Sequence, residues 1–352
     1  MIVPPEVKVF GGAERLIVEL ANYLTNHNYP IAIFTTFAVP EFKQKLQEAR
    51  ILECQTEQNL IEHINMFAHK FEIVNPHNHP APFYFNYPLK PIKVWQCNEP
   101  PGYVLEGNSV NPVERNYIVR TCKKVVVLGS YDRYRFQKIY GITPVVNYLG
   151  IDYDFYSQDV KVKHTLNMKD NFVITQVAYF TWTKNQVKTV EIFSEVKKQI
   201  PNAKLVLVGY DVSDYTKNVE QKVAELGLED EVYMSGFINN SEQLRNLYKQ
   251  SSVFVMPILS QGGWISTFEA ISSGVPTIVS EDFVGSNLIQ EHGLGSVVPL
   301  QTETFIKKIL EVHDNLQNEQ QKTTEAARWI GQNLTWENFG KRYEEIFEEC
   351  LV

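Results

Sequence analysis

Short runs of β-branched and aliphatic residues alternate with longer stretches whose apolar positions recur at helical spacing, along nearly the whole chain. Such alternation predicts parallel strands joined by crossover helices, an α/β protein. In the first half the strand-like runs are 31–37, 71–75, 92–97 and 125–128, and 144–152 reads as a turn-rich passage. In the second half they are 172–178, 204–209, 232–235, 253–256, 277–280 and 296–299, enough for a second complete sheet. Only Met1 to Val3 precede Pro4-Pro5, so the first strand is expected to be short. The pattern divides the chain into 1–150, 151–334 and a terminal segment 335–352. There Trp336, Phe339, Tyr343 and Phe347 share one helical face, read as core packing.

With 352 residues, 44% of them apolar and 12% aromatic, the chain can fill two cores. The net charge of -8 argues against wrapping nucleic acid, so a phosphate ligand would be held in a local pocket. The exception is 115–138, where Arg115, Arg120, Lys123, Lys124, Arg133, Arg135 and Lys138 face only Asp132. This is either a solvated face or a surface for anionic lipid head groups. Cys54, Cys97, Cys122 and Cys350 have neither zinc-knuckle spacing nor a disulfide pattern, which suits a reducing cytoplasm. No apolar run approaches the roughly 20 residues of a membrane span, and the first residues do not read as a signal peptide. The expectation is a cytoplasmic protein, at most peripheral to the inner face of a membrane.

Three stretches carry candidate chemistry. Gly11-Gly12-Ala13-Glu14-Arg15 precedes an amphipathic helix, where glycines let backbone N–H groups approach an anion or simply make a tight turn. Tyr179 to Asn185 follows the first strand of the second half and puts Lys184 at the mouth of a parallel sheet, placed to neutralise a pyrophosphate. After the strand 253–256 comes Pro257, then Gln261-Gly262-Gly263-Trp264-Ile265, and a helix expected to open at Ser266. Glu269 has two readings: Ser266-Thr267-Phe268-Glu269 is a capping box, or the carboxylate accepts hydrogen bonds from sugar hydroxyls. No G-x-G-x-x-G element follows a strand, which counts against a nicotinamide or flavin dehydrogenase. His77 and His79 are too few ligands for zinc, and no metal site is expected. His77 is read as an acceptor-side or active-site residue or as an ordinary loop histidine.

In order and spacing these stretches resemble the family 4 retaining glycosyltransferases of the GT-B fold, also called glycosyl transferases group 1. The residues that carry the resemblance are Gly11-Gly12-Ala13-Glu14-Arg15, Asn147-Tyr148-Leu149-Gly150-Ile151-Asp152, Lys184-Asn185, Pro201 to Gly209, Gly236-Phe237, and Phe268-Glu269-Ala270 with Gly274-Val275-Pro276. The resemblance implies two Rossmann-like domains facing a cleft: an acceptor side in 1–150, a nucleotide-sugar side in 151–334, and a terminal helix returning to the first domain. Under it Lys184 is the donor-phosphate lysine, Glu269 binds the donor ribose, and Gly236, Phe237 and Ile238 hold the base. Gly12 approaches the donor phosphates, while Tyr179, Gly209, Gly262, Gly263, Trp264, Ile265 and Ser266 complete the donor site. Lys184, Gln261, Asn98 and His77 stand at the catalytic positions. No cofactor or metal is implied beyond the co-substrate, a UDP- or GDP-linked sugar, and the acceptor is a glycan or lipid-linked glycan.

The chain departs from the family pattern at three positions. Gln261 replaces the first glutamate of E-x7-E, Tyr179 a phosphate-binding arginine, and Asn98 a histidine. Gln261 still forms hydrogen bonds but carries no charge. The leading class is a retaining, metal-independent glycosyltransferase; the departures motivate a non-catalytic homologue that binds nucleotide-sugar or glycan as a subunit or regulator, and a sugar-nucleotide epimerase of the same architecture is a distant third.

Overall fold

A computed structural model describes residues 1–86, 88, 90–98, 111–162, 168–211, 214–259 and 262–352, with the backbone alone at 131. Gln261, and Glu99 to Pro101 after Asn98, lie outside the described residues. The chain forms two compact units, Met1–Gly150 with Trp336–Val352, and Ile151–Thr335.

The first unit holds a seven-stranded parallel sheet: β1 (Ile2–Val3), β2 (Ala32–Thr35), β3 (Arg50–Glu53), β4 (Ile73–Pro76), β5 (Ile92–Gln96), β6 (Cys122–Val127) and β7 (Val145–Val146), in the order 3-2-1-4-5-6-7. The two-residue β1 sits mid-sheet, with Ile2 opposite both Ile33 and Asn75. β3 and β7 are absent from the sequence reading. Both are short edge strands, where one side is unpaired and the apolar signal is weak. β7 lies inside the passage read as turns. Trp95 packs edge-on to Phe136 at 5.3 Å, and Phe136 stacks on Tyr140 at 4.3 Å, anchoring the Ser130–Tyr140 helix to the sheet. Burying rings of this size contributes roughly 1.5–3 kcal/mol each.

The terminal helix Trp336–Leu351 lies on the Gly12–Asn26 helix. Gly340 permits the approach, because a Cβ there would overlap the Tyr23 ring. The hydroxyls of Tyr23 and Tyr29 donate to Glu344 at 3.0 and 2.8 Å, and Asn147 Nδ2 donates to the Phe339 carbonyl at 3.2 Å. The aromatic stripe seen in the sequence faces this contact through Phe339 and Tyr343, both fully buried.

The second unit has β8 (Phe172–Val177), β9 (Ala203–Val208), β10 (Val232–Gly236), β11 (Val253–Met256), β12 (Thr277–Ser280) and β13 (Ser296–Val298), all parallel, in the order 10-9-8-11-12-13. Its core joins strand residues Ile174, Leu205, Leu207 and Val255 to Phe193, Val196 and Phe305 of the Gln186–Gln199 and Thr302–Asp314 helices. Strand order reverses between β1 and β4 in the first sheet and between β8 and β11 in the second. Open α/β sheets bind ligands outside the carboxyl ends of such strand pairs.

Candidate functional site

In the second unit the reversal brings together the two loops that carry the candidate residues. The 178–185 loop leaves β8, and the loop after β11 leads into the Trp264–Ser272 helix. They are laced by Leu259 N–H to the Thr183 carbonyl at 2.9 Å and by Asn185 Nδ2 to the Pro257 carbonyl at 3.0 Å. Asn185 adopts the left-handed conformation (φ 59°) that starts the Gln186–Gln199 helix.

Lys184 ends against bare backbone. A Cβ on Gly262 would overlap its Nζ and displace the flexible lysine tip, and at φ 78° the backbone there favours glycine. Gly263 (φ 75°) follows as the residue before the helix. It has no side chain to cap the first N–H groups, so their partial positive charge stays at the end where Lys184 lies. An ammonium beside an uncapped helix start is an arrangement for an anion.

The helix opens at Trp264, two residues earlier than the sequence suggested, because the paired left-handed glycines turn the chain before Ser266 is reached. This removes the capping-box reading. Ser266 Oγ is already within the first turn, donating to the Gly263 carbonyl at 3.4 Å, and Glu269 sits mid-helix. Glu269 is 3% exposed and accepts from the hydroxyl of the fully buried Tyr248 at 3.3 Å. Burial first, then the Glu269 charge, pushes the Tyr248 hydroxyl well above its usual pKa, so it remains a donor. Trp264 is buried and Ile265 partly so, at the same helix start.

The other predicted donor-side positions line the ends of β8, β9 and β10. Tyr179 gives its carbonyl to Gln186 Nε2 at 2.8 Å. Gly209 donates its N–H to the Gly236 carbonyl at 3.1 Å, and a Cβ on it would overlap the Ala178 carbonyl oxygen. Gly236 (φ 68°) is followed by exposed Phe237 and by Ile238, which packs against a buried cluster that includes Val206, Val208 and Leu247. Sequence reasoning missed Gln176, a buried glutamine inside the apolar run of β8. Its Nε2 donates to the Lys184 carbonyl at 2.7 Å and its Oε1 accepts from Thr189 at 2.6 Å, which fixes the lysine loop. A polar residue within an apolar strand was the available signal.

Gly12, His77 and Asn98 belong to the first unit. At the Gly12–Asn26 helix start the Gly11 N–H is taken by the Glu14 carboxylate at 2.9 Å. His77 follows β4 and Asn98 follows β5, both buried, within a polar network that also holds Asn75, Gln96 and Tyr343. His77 Nε2 lies 2.8 Å from Asn75 Oδ1, and burial pushes its pKa down to about 3. Among the described residues His77 Nδ1 and Asn98 Nδ2 have no partner. The same end of the sheet carries a cavity of about 520 Å³ lined by Glu6, Thr36, Gln55, Glu57, His79 and Tyr84 among others. His79 is thus a cavity residue, and no group of three or more metal-ligating side chains occurs among the described residues.

Residues 157–329 match the family model described as glycosyl transferases group 1. Within the second unit the chain is thus similar to the group 1 glycosyl transferases. Among curated relatives, the GDP-mannose:cellobiosyl-diphosphopolyprenol alpha-mannosyltransferase of Xanthomonas oryzae pv. oryzae is 24% identical over 182 residues, covering 50% of this chain and 47% of that protein. The alpha-monoglucosyldiacylglycerol synthase of Streptococcus pneumoniae is 21% identical over 267 residues, covering 71% of this chain and 58% of that protein. The chain thus spans about half the length of the curated relatives it matches. Anabaena Alr3699/HepE, solved with UDP and glucose, superposes with a TM-score of 0.83 at 17% identity, over 99% of this chain and 98% of that one. At that identity the likeness speaks for the fold, and the two parallel sheets are those of the GT-B architecture.

Proposed function

We propose that this chain is a retaining glycosyltransferase that moves a sugar from a UDP- or GDP-linked donor to a glycan or lipid-borne acceptor. The observation that carries the reading is the Lys184 ammonium lying against Gly262 beside an uncapped helix start, at the strand reversal of the second sheet. A departing nucleoside diphosphate gains negative charge as the glycosidic bond breaks. A cation and helix dipole already aimed at that charge lower the barrier without reorganising at the moment of reaction. The chain itself supplies this positive charge, and the reading includes no metal. Glu269, buried and mid-helix, is assigned to the ribose hydroxyls, and the exposed Gly236-Phe237 turn to the base. Relatives named for UDP, GDP-mannose and lipid-borne acceptors support the substrate classes.

The acceptor side is assigned to the first unit, where the cavity between Glu6, Glu57 and His79 offers room for a sugar. On the same unit Arg115, Arg120, Lys123, Arg133 and Lys138 are exposed, with exposed Val113, Val119 and Tyr134 among them, while Asp132 is fully buried. Glu114 is partly exposed on the same face and Glu349 pairs with Lys124, so the five exposed cations are only partly offset, and we assign this basic face to contact with an anionic membrane surface at the cytoplasmic face. No helix among the described residues is long and apolar enough to cross a membrane.

The test is calorimetry and turnover with UDP, GDP, UDP-glucose and GDP-mannose. Binding of one nucleotide family, sugar release or transfer with the anomeric configuration kept, and turnover unaffected by a chelator are expected. Binding with no turnover of any sugar nucleotide in the presence of lipid or glycan acceptors would instead make this a binding homologue.

A further inference from the structure

Tyr248 is a tyrosine where packing asks only for a phenylalanine. Its ring comes from the Ser241–Gln250 helix and is fully buried, edge-on to Tyr156 at 5.9 Å and to Phe254 of β11 at 6.2 Å. A phenylalanine would keep both contacts, and a buried hydroxyl destabilises a core unless it is bonded. The hydroxyl donates to Glu269 Oε2 at 3.3 Å. Glu269 is out of place in the same way: it is 3% exposed and is the one charge in the nine-residue Trp264–Ser272 helix. Replacing both partners of such a buried pair by apolar groups of the same shape is commonly neutral or stabilising, so stability alone does not account for it.

The geometry of the pair fits a second task. Two rings hold the phenol edge-on, so its hydroxyl cannot swing away, and burial with the Glu269 charge keeps the proton on it. A glutamate carboxylate turns broadly about its last torsion, which has no sharp staggered wells. A fixed donor on one oxygen selects one setting of the carboxylate plane, and it uses only one of roughly four lone-pair positions. The two hydroxyls of a ribose sit side by side and can both donate to a carboxylate only when its plane faces them, because hydrogen bonds weaken steeply as they bend. We propose that Tyr248 is a positioning residue, whose hydroxyl sets the plane of the Glu269 carboxylate so that it meets the 2′- and 3′-hydroxyls of the donor ribose in one orientation. This rests on the assignment of Glu269 to the ribose and adds what aims the carboxylate.

Removing one ribose hydroxyl at a time reads this role by calorimetry. The native chain is expected to prefer UDP over 2′-deoxy- and 3′-deoxy-UDP, or GDP over its own deoxy analogues, by roughly tenfold or more, the range for a bond to a charged acceptor. Tyr248→Phe keeps the ring and its packing. It should shrink that preference by about three- to fivefold while affinity for the deoxy analogues stays within about twofold. In a Glu269→Ala background no carboxylate is left to aim, so adding Tyr248→Phe should leave the remaining preference unaltered. A lowered melting temperature with the full ribose preference kept in Tyr248→Phe overturns the inference, because a purely structural bond behaves that way. So does an equal loss of preference in both backgrounds, since Tyr248 would then act without Glu269. A native chain indifferent to the ribose hydroxyls would take Glu269 off the ribose, and one that binds no nucleotide would end the reading of the second unit. Either result removes the inference too, and each is told apart from the first two by the native protein alone.

Discussion

The candidate sites of the two units differ in what holds them in place. In the second, recognition rests on charge and bare backbone: Lys184, two left-handed glycines and a helix start. Such a site tolerates small errors of geometry, because an ammonium attracts a diphosphate over a range of angles. In the first, the candidate groups are neutral and sit inside the core, so only the direction of each hydrogen bond gives them meaning. Site and stability are therefore separable in the second unit and joined in the first.

The sharpest way to expose that difference is acid. His77 has a folded pKa of about 3 against an ordinary 6.5, so between those values the unfolded chain binds a proton that the folded one refuses. Stability is intact above pH 6.5 and falls as pH is lowered toward 3, by up to about 1.4 kcal/mol per pH unit and on the order of 5 kcal/mol in all. In the second unit the Lys204 and Lys197 ammonium groups hold the Glu231 carboxylate below its usual 4.5, so its contribution is lost only at lower pH. Denaturant midpoints across pH 7 to 3 should show the first unit loosening first, and His77→Gln should flatten the limb between 6.5 and 4.5. An acid limb that His77→Gln leaves unchanged would mean the ring is not held neutral.

This division also explains how far the sequence could be read. Alternation announced both sheets, because central strands such as β9 and β11 are buried on both faces and carry unbroken apolar runs. β3 and β7 escaped because edge strands need little apolar length. The glycines and lysine of the second unit were legible because left-handed turns and helix starts demand particular residue types. The helix start itself was misplaced, since Ser266 to Glu269 spells a capping box that the preceding glycine pair makes unnecessary. The network of the first unit was largely hidden. Gln96 looks like any strand residue, and Tyr343 was legible as packing while its hydroxyl contact with Gln96 was not. Which hydroxyl meets which amide depends on residues 247 positions apart.

A smaller effect is expected where charge alone is removed. Lys184→Ala should leave the melting temperature within about 1–2 °C of native, as the side chain is only partly buried. It should weaken nucleoside diphosphate binding by roughly ten- to a hundredfold, the range for one charge-assisted contact. Gly262→Ala should match it in affinity by pushing the ammonium aside, and exceed it in stability loss by roughly 1 kcal/mol, because alanine is strained at φ 78°. Equal affinity in all three proteins would detach the lysine from the donor site.

The smallest effect concerns Glu269, which stands between the two modes: a charge, yet buried like the residues of the first unit. In Glu269→Gln the amide oxygen still accepts from Tyr248, so the stability change should stay within about 1 kcal/mol. A hydrogen bond to a charged acceptor contributes about 1 kcal/mol more than one to a neutral acceptor, so nucleotide affinity should fall by roughly fivefold. The loss should be equal for UDP and UDP-glucose, or for GDP and GDP-mannose, because the ribose is common to each pair. Were Glu269→Gln instead to erase the sugar increment and spare the bare nucleotide, Glu269 would be facing the transferred sugar, and the ribose would have to be held elsewhere.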